Sequence, residues 1–198
     1  MNSAWLEVRP ASTDLEALRE WVTPEEWEAA AMNSTARRSE WLTWRALVRQ
    51  RLGRDVAISY DTQGAPIVDK GCIGVSHTRG WVAVVWSAEP CAVDIELTAR
   101  AISSVTARRF ISPEERALPD STNPLFPVAV WCAKEAAYKF AHAAGLVART
   151  ADGLDFLKEL RITSSDLSAG KMSVSISGIH PLEIQLLRTS TLLLAVIA

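Results

Sequence analysis

The sequence is short of cysteine, and the cysteines it has do not pair in pattern. Cys72, Cys91 and Cys132 are odd in number and form no CxxC pair. That argues against a zinc site or a disulfide framework and fits reduced thiols in the cytoplasm. Long hydrophobic runs are missing as well. No stretch approaches the roughly 18 apolar residues of a membrane span, and the longest, residues 192–198, reads as a buried strand. There is no basic excess: a net charge of -2 argues against a general nucleic-acid binder. The opening Met1-Asn2-Ser3-Ala4-Trp5-Leu6-Glu7 lacks the charged-then-apolar layout of a secretory leader. No GxGxxG, no phosphate-loop motif, no short-period repeat and no low-complexity stretch occurs. Gly74-x-Ser76 lacks the second glycine of a nucleophile elbow, which excludes a serine hydrolase of that kind.

What is present is an ordinary globular composition, 48% apolar and 22% charged over 198 residues, enough for one sizeable domain or two small lobes. Thr23-Pro24-Glu25-Glu26 is a capping box with proline at the first helical position, and it opens a helix to about Met32. A second helix spans residues 35–52, with Trp41, Trp44 and Val48 on one side and Gly53 as its stop. Residues 61–66 carry turn chemistry. Alternating apolar runs then predict strands at 73–77, 81–86 and 91–96, with Arg79-Gly80 turning between the first two. Residues 105–110 read as helical, Ser112-Pro113-Glu114-Glu115 as the cap of a short helix, and 120–127 as a loop with two prolines. A long helix covers 128–144 and ends at Gly145. Strands follow at 160–163, 172–176, 182–188 and 191–197. Each half therefore holds helices and several strands, and residues 98–104 are the natural seam.

In a strand, residues i and i+2 point the same way, so Asp94 and Glu96 share one face while Val93 and Ile95 take the other. Two acids at a strand end make a hard oxygen site suited to Mg²⁺; the plainer reading is a pair of solvated acids. Glu135 and Lys139 have the i, i+4 spacing of a helix-surface ion pair. Glu135, however, lies on a stripe with Trp131 and Tyr138, at a core edge or facing a site. The second helix is rich in arginine (Arg37, Arg38, Arg45, Arg49, Arg51, then Arg54) against the single acid Glu40. That is either a solvated surface or a phosphate clamp, since the guanidinium fork matches phosphate oxygens. Ser76-His77 ends a strand before a tight turn. His142 and His180 have no metal-ligand spacing and read as structural.

Taken in order, Gly64-Ala65-Pro66, Gly74-Val75-Ser76-His77-Thr78-Arg79-Gly80-Trp81-Val82, Cys91-Ala92-Val93-Asp94-Ile95-Glu96, Ala107-Arg108-Arg109-Phe110-Ile111-Ser112-Pro113-Glu114-Glu115 and Trp131-Cys132-Ala133-Lys134-Glu135-Ala136-Ala137-Tyr138-Lys139 resemble the Sfp-type 4′-phosphopantetheinyl transferases. The similarity runs from about residue 37 to residue 145. It implies an α+β fold of two similar α/β lobes related by a pseudo-twofold, here 1–99 and 100–198, with coenzyme A in the cleft between them. It implies transfer of the phosphopantetheine arm of coenzyme A to a serine of an apo carrier protein of fatty-acid, polyketide or nonribosomal-peptide synthesis, by a cytoplasmic monomer. Asp94, Glu96 and Glu135 match the family's acids for Mg²⁺, and Asp94, Glu135 and Lys139 its catalytic groups. Arg37, Arg45, Ser76, His77 and Lys139 match its contacts to the phosphates of coenzyme A, with Glu135 as acceptor of the serine proton.

The sequence departs from the family's usual pattern at three places. Ala92 stands where glycine is usual, and Ala65 where many members have a basic residue. Phe140-Ala141-His142-Ala143-Ala144 continues the helix where glycines usually follow the lysine. Those departures keep a second reading open, a non-catalytic module that binds coenzyme A or a carrier. A metal-dependent nuclease is a third reading, opposed by the acidic balance.

Overall fold

The structure is a computed structural model that describes residues 4–146, 155–176 and 179–198. Residues 1–3, the start of the stretch read above for a leader pattern, lie outside the described residues.

Local chemistry sets the helices. The capping box forms as expected: Thr23 Oγ1 accepts from the Glu26 N–H at 3.2 Å and Glu26 returns the bond to the Thr23 N–H at 3.0 Å. It opens helix α1, Pro24–Ala31. Helix α2, Thr35–Leu52, is capped by Ser34 and stopped at Gly53, whose φ of 117° suits glycine. The strands are β1 (Trp5–Pro10), β2 (Ile58–Tyr60), β3 (Pro66–Val68), β4 (Cys72–Thr78), β5 (Trp81–Ser87) and β6 (Ala92–Leu97), followed by the single-turn helix α3 (Ser104–Ala107). Helix α4, Phe126–Ala143, and strands β7 (Leu160–Asp166), β8 (Lys171–Ile176), β9 (Ile179–Arg188) and β10 (Leu192–Ile197) complete the order.

The strands form two larger antiparallel sheets, ordered β1-β5-β4 and β6-β10-β9-β8-β7, plus the β2–β3 hairpin. Side-chain alternation stacks them. Trp44, Leu47 and Val48 of α2 pack on Ile73, Val82, Val84 and Trp86. The opposite faces contribute Ala83, Val85, Val93, Ile95, Leu192, Leu194 and Val196 to a middle core between the sheets. Leu193 and Ala195 point the other way, into the cluster made by α4 with β7, β8 and β9. The layers therefore run α2, first sheet, second sheet, α4. A strand inside such a stack is apolar on both faces, which explains the unbroken Val82-Ala83-Val84-Val85-Trp86 run.

The β6 strand precedes the expected seam at 98–104 yet pairs with β10 in the second sheet, Asp94 opposite Ala195 and Glu96 opposite Leu193. It also lies against β4 of the first sheet. A Cβ on Gly74 would stand 2.9 Å from Ala92 Cα and 3.0 Å from Val93 N. Gly74 thus supplies the missing methyl that lets the two backbones cross, and Ala92 keeps its own.

Several elements differ from the sequence reading. The β1 strand and the β2–β3 hairpin are additional; the expected turn at 61–66 is the hairpin's connection. Residues 108–110 leave the helical path after α3, because Phe110 and Ile111 turn into the α4 core. The expected loop at 120–127 holds a 3₁₀ turn at Pro119–Thr122, and α4 starts at Phe126 with Pro127 in its first turn, where no N–H is required. Among the described residues no helix is long and apolar enough to cross a membrane.

Candidate functional site

With Val93 and Ile95 committed to the middle core, Asp94 and Glu96 must face α4. Asp94 is buried, and its Oδ1 accepts from Ser76 Oγ at 2.8 Å and Lys139 Nζ at 2.6 Å. Lys139 Nζ also reaches the Val93 carbonyl at 3.3 Å, and Ser76 Oγ takes the Ile95 N–H at 3.3 Å. One carboxylate thus joins β4, β6 and α4. Among the described residues its second oxygen, Oδ2, is buried with no hydrogen-bond partner. A buried carboxylate oxygen left unsatisfied is costly.

Glu96 pairs with Arg100 and accepts from Thr78 Oγ1 at 3.4 Å. Burial, with Asp94 assisting and Arg100 opposing, holds its carboxyl above the usual range. Glu135 is raised as well, by burial first and then by the charge of Asp94, with Lys139 opposing. Glu135 is half-buried. It sits at the edge of an aromatic cluster in which Trp131 meets Phe110 and Phe156 at centroid separations of 5.1 and 5.6 Å. Cys132 is fully buried; burial, then Asp94, pushes its thiol well up and keeps it protonated.

Two raised carboxyls and an orphaned carboxylate oxygen are acceptors that a divalent cation would fit. The donor set is all oxygen, the chemistry Mg²⁺ takes. Among the described residues no three His, Cys, Asp or Glu side chains are already gathered at metal-ligand spacing. Asp94 and Glu96 are the pair best placed to begin such a site.

His77 points to α2, where its Nδ1 lies 3.0 Å from Glu40 Oε2. Burial and the nearby Arg37 lower its pKa, against Glu40. Glu40 is buried and also takes the Gly80 N–H at 2.8 Å, and Arg37 stands 3.9 Å from it. Arg79 and Gly80 turn the chain with φ of 38° and 82°, the two positive values of a tight hairpin. A polar cleft of about 400 Å³ opens here, lined by Glu40, His77, Thr78, Arg79, Glu96 and Arg100. A more apolar cleft of about 480 Å³, lined in part by Lys139, runs between the β2–β3 hairpin, β4 and the end of α4. Ala65 and His142 both line it. His142, read from sequence as an isolated structural residue, is paired with Asp61. Burial opposes ionisation of Asp61, but His142 and the Ala65 and Gln63 N–H groups hold it down at about 2.

The arginine-rich helix corrects the simple clamp reading. Arg49 makes a two-pronged bond to Glu26 at 2.7 and 3.1 Å, Arg51 binds Glu7 and Arg54 binds Glu20. Arg38 lies over Trp27 at 4.9 Å. Arg45 is buried over Trp41 and Trp44, bonded to Tyr60, with its Nε 3.3 Å from Glu26. Burial pulls it down to about 10 despite Tyr60 and Glu26. Arg45 lines neither cleft. The counter-charges come from distant segments, so counting acids within α2 hid them.

The motif's other lysine is structural. Lys134 Nζ is buried, 2.7 Å from Glu115 Oε1 and 2.7 Å from the carbonyls of Phe110 and Phe156. Glu115 also takes the N–H groups of Ser112 at 2.7 Å and Ile162 at 2.6 Å. The capping glutamate seen in the sequence is therefore also the partner of Lys134. Arg100 and Thr78, which bond Glu96, went unremarked in the sequence, since neither belongs to a periodic or spaced pattern.

A family model described as the 4′-phosphopantetheinyl transferase superfamily matches residues 90–188, half of the chain. The matched span runs from β6 to β9 and so includes Asp94, Glu96, Glu135 and Lys139. No curated protein matches the sequence.

Proposed function

The chain belongs to the 4′-phosphopantetheinyl transferase superfamily, and we propose that it is an Sfp-type enzyme that moves the phosphopantetheine arm of coenzyme A to a serine of an apo carrier protein. The observation that carries this reading is the Asp94 carboxylate. It is shared by Ser76 and Lys139, unsatisfied at Oδ2 among the described residues, and within electrostatic reach of Glu135.

In the reaction the serine oxygen forms a bond to the phosphorus that carries pantetheine. The bridging P–O bond of the pyrophosphate breaks, and adenosine 3′,5′-bisphosphate leaves with the electron pair. Glu135, half-buried and with its carboxyl raised by burial, accepts the serine proton. Asp94, Glu96 and Glu135 would hold Mg²⁺; when bound, that ion supplies positive charge against the pyrophosphate and the developing leaving group. Lys139, already directed at the acids, serves the same phosphates. Ser76 orients Asp94. His77, which lines the polar cleft and is joined through Glu40 to Arg37, serves a further phosphate. Arg45 acts at a distance by fixing α2 against Tyr60. We read 1–99 and 100–198 as the two lobes, each with a long helix and an antiparallel sheet and with β6 crossing into the second sheet; Lys139 lines the apolar cleft.

The raised carboxyls have a consequence for stability. Glu135 binds its proton more readily folded than unfolded, so its ionisation costs stability as pH rises from the ordinary value of 4.5 through its raised pKa. In metal-stripped protein, Glu135→Gln removes that loss. Its melting temperature near neutral pH exceeds that of the wild type by about 2–4 °C, the difference vanishes in acid, and added Mg²⁺ stabilises the wild type more than the variant. Thermal scans across pH check this; a lower melting temperature for the variant at neutral pH contradicts it. The function itself is tested by weighing carrier proteins after incubation with coenzyme A and Mg²⁺. Coenzyme A binding without transfer would favour the non-catalytic reading.

A further inference from the structure

Arg100 occupies an unusual position. It follows β6, and its backbone is fixed by the hydrogen bond from its N–H to the Leu97 carbonyl at 2.9 Å. Its side chain, 37% exposed, pairs with Glu96 and lies over the Trp131 ring at 5.2 Å. The same guanidinium lines the polar cleft with His77 and Arg79. Among the described residues the Arg79 side chain has no ion pair. Glu96 therefore has one movable cation on it and an unsatisfied Asp94 oxygen two residues away.

Arg100 is 37% exposed, so its hold on the largely buried Glu96 is screened on the solvent side, whereas a divalent cation bound by two or more carboxylates gains from both. The two compete for Glu96, and the arginine is the weaker competitor. Once displaced, Arg100 need not enter bulk water. The Trp131 face supports a guanidinium, and the cleft already holds a second guanidinium, Arg79, that would attract an anion.

We propose that Arg100 is a displaceable occupant of Glu96: a divalent cation at the acids releases it, and the freed guanidinium then binds a phosphate of the substrate in the polar cleft. Metal and phosphate binding are thereby coupled through one side chain. The second half rests on the functional reading above; the first half rests only on the acids and Arg100. Arg100 is a positioning residue for the metal and a specificity residue for the anion.

The test is calorimetric, with Arg100→Gln and Arg100→Lys beside the wild type. Arg100 is exposed enough for both variants to fold. Mn²⁺ titrated into metal-stripped protein binds Arg100→Gln about fivefold tighter than the wild type, the factor that an exposed ion pair is worth. Coenzyme A with Mg²⁺ present binds Arg100→Gln about tenfold more weakly than the wild type. In excess chelator the two bind it equally, because Arg100 is then tied to Glu96. Arg100→Lys falls between. Unchanged or weaker Mn²⁺ binding overturns the competition. An equal loss of coenzyme A affinity with and without metal makes Arg100 a fixed charge and overturns the release. If the wild type binds no coenzyme A at all, the functional reading and the second half fall together, while the Mn²⁺ comparison still decides the first.

Discussion

Asp94→Asn lowers phosphopantetheine transfer by about 10³-fold or more, the scale expected when a group that organises transition-state charge loses its own charge, yet leaves the protein folded. Asparagine keeps the shape, and its oxygen still accepts from Ser76 and Lys139, which sit 2.8 and 2.6 Å from Asp94 Oδ1. The amide then occupies the place of the buried Oδ2, where no partner waits, so stability drops by only about 1–3 kcal/mol. Single-turnover rates with excess coenzyme A, read beside circular dichroism and thermal melts, separate the two effects. A variant within tenfold of wild-type rate would remove Asp94 from the mechanism. Mn²⁺ affinity should fall in the same variant, which ties the loss to the acid rather than to repacking.

The second large effect is on stability. Lys134→Met destabilises the protein by about 3–5 kcal/mol, because removing one partner of a buried ion pair leaves the other charge uncompensated. Glu115 keeps the N–H groups of Ser112 and Ile162 but loses its ammonium partner, and the carbonyls of Phe110 and Phe156 lose a donor. The chain around Phe110 packs on Trp131, four residues before Glu135, so the damage reaches the site. Urea denaturation measures it. The double variant Lys134→Met with Glu115→Leu recovers part of the loss, since no lone charge remains. A cost below about 1 kcal/mol for the single change would show that the pair does not hold this region together. The two lysines of the WxxKExxxK stretch thus differ in kind: Lys134 anchors the fold, and Lys139 faces the acids.

How much of this was legible depended on distance along the chain. Caps at Thr23 and Ser112, the long helices, the Arg79-Gly80 turn and the alternation that separates Asp94 and Glu96 from Val93 and Ile95 are all local, and each shows in a window of a few residues. The β1 strand was not legible, because its apolar alternation is short and its meaning depends on β5, more than seventy residues on. The arginines of α2 read as either a solvated surface or a clamp because Glu7, Glu20 and Glu26 lie outside the helix. His142 lacked a partner in sequence because Asp61 is 81 residues away. The single-turn α3 failed to extend because Phe110 is claimed by the α4 core. The acids and Lys139 were found because residue type and spacing carry their chemistry; Arg100 and Thr78 were not, because only the fold brings them to Glu96.

The most direct measurement weighs apo carrier proteins, acyl and peptidyl, after incubation with this protein, coenzyme A and Mg²⁺. The expected result is a carrier heavier by one phosphopantetheine arm, with adenosine 3′,5′-bisphosphate released in equal amount. Unmodified carriers throughout, with the protein shown to be folded and to bind coenzyme A, would contradict catalysis by this site.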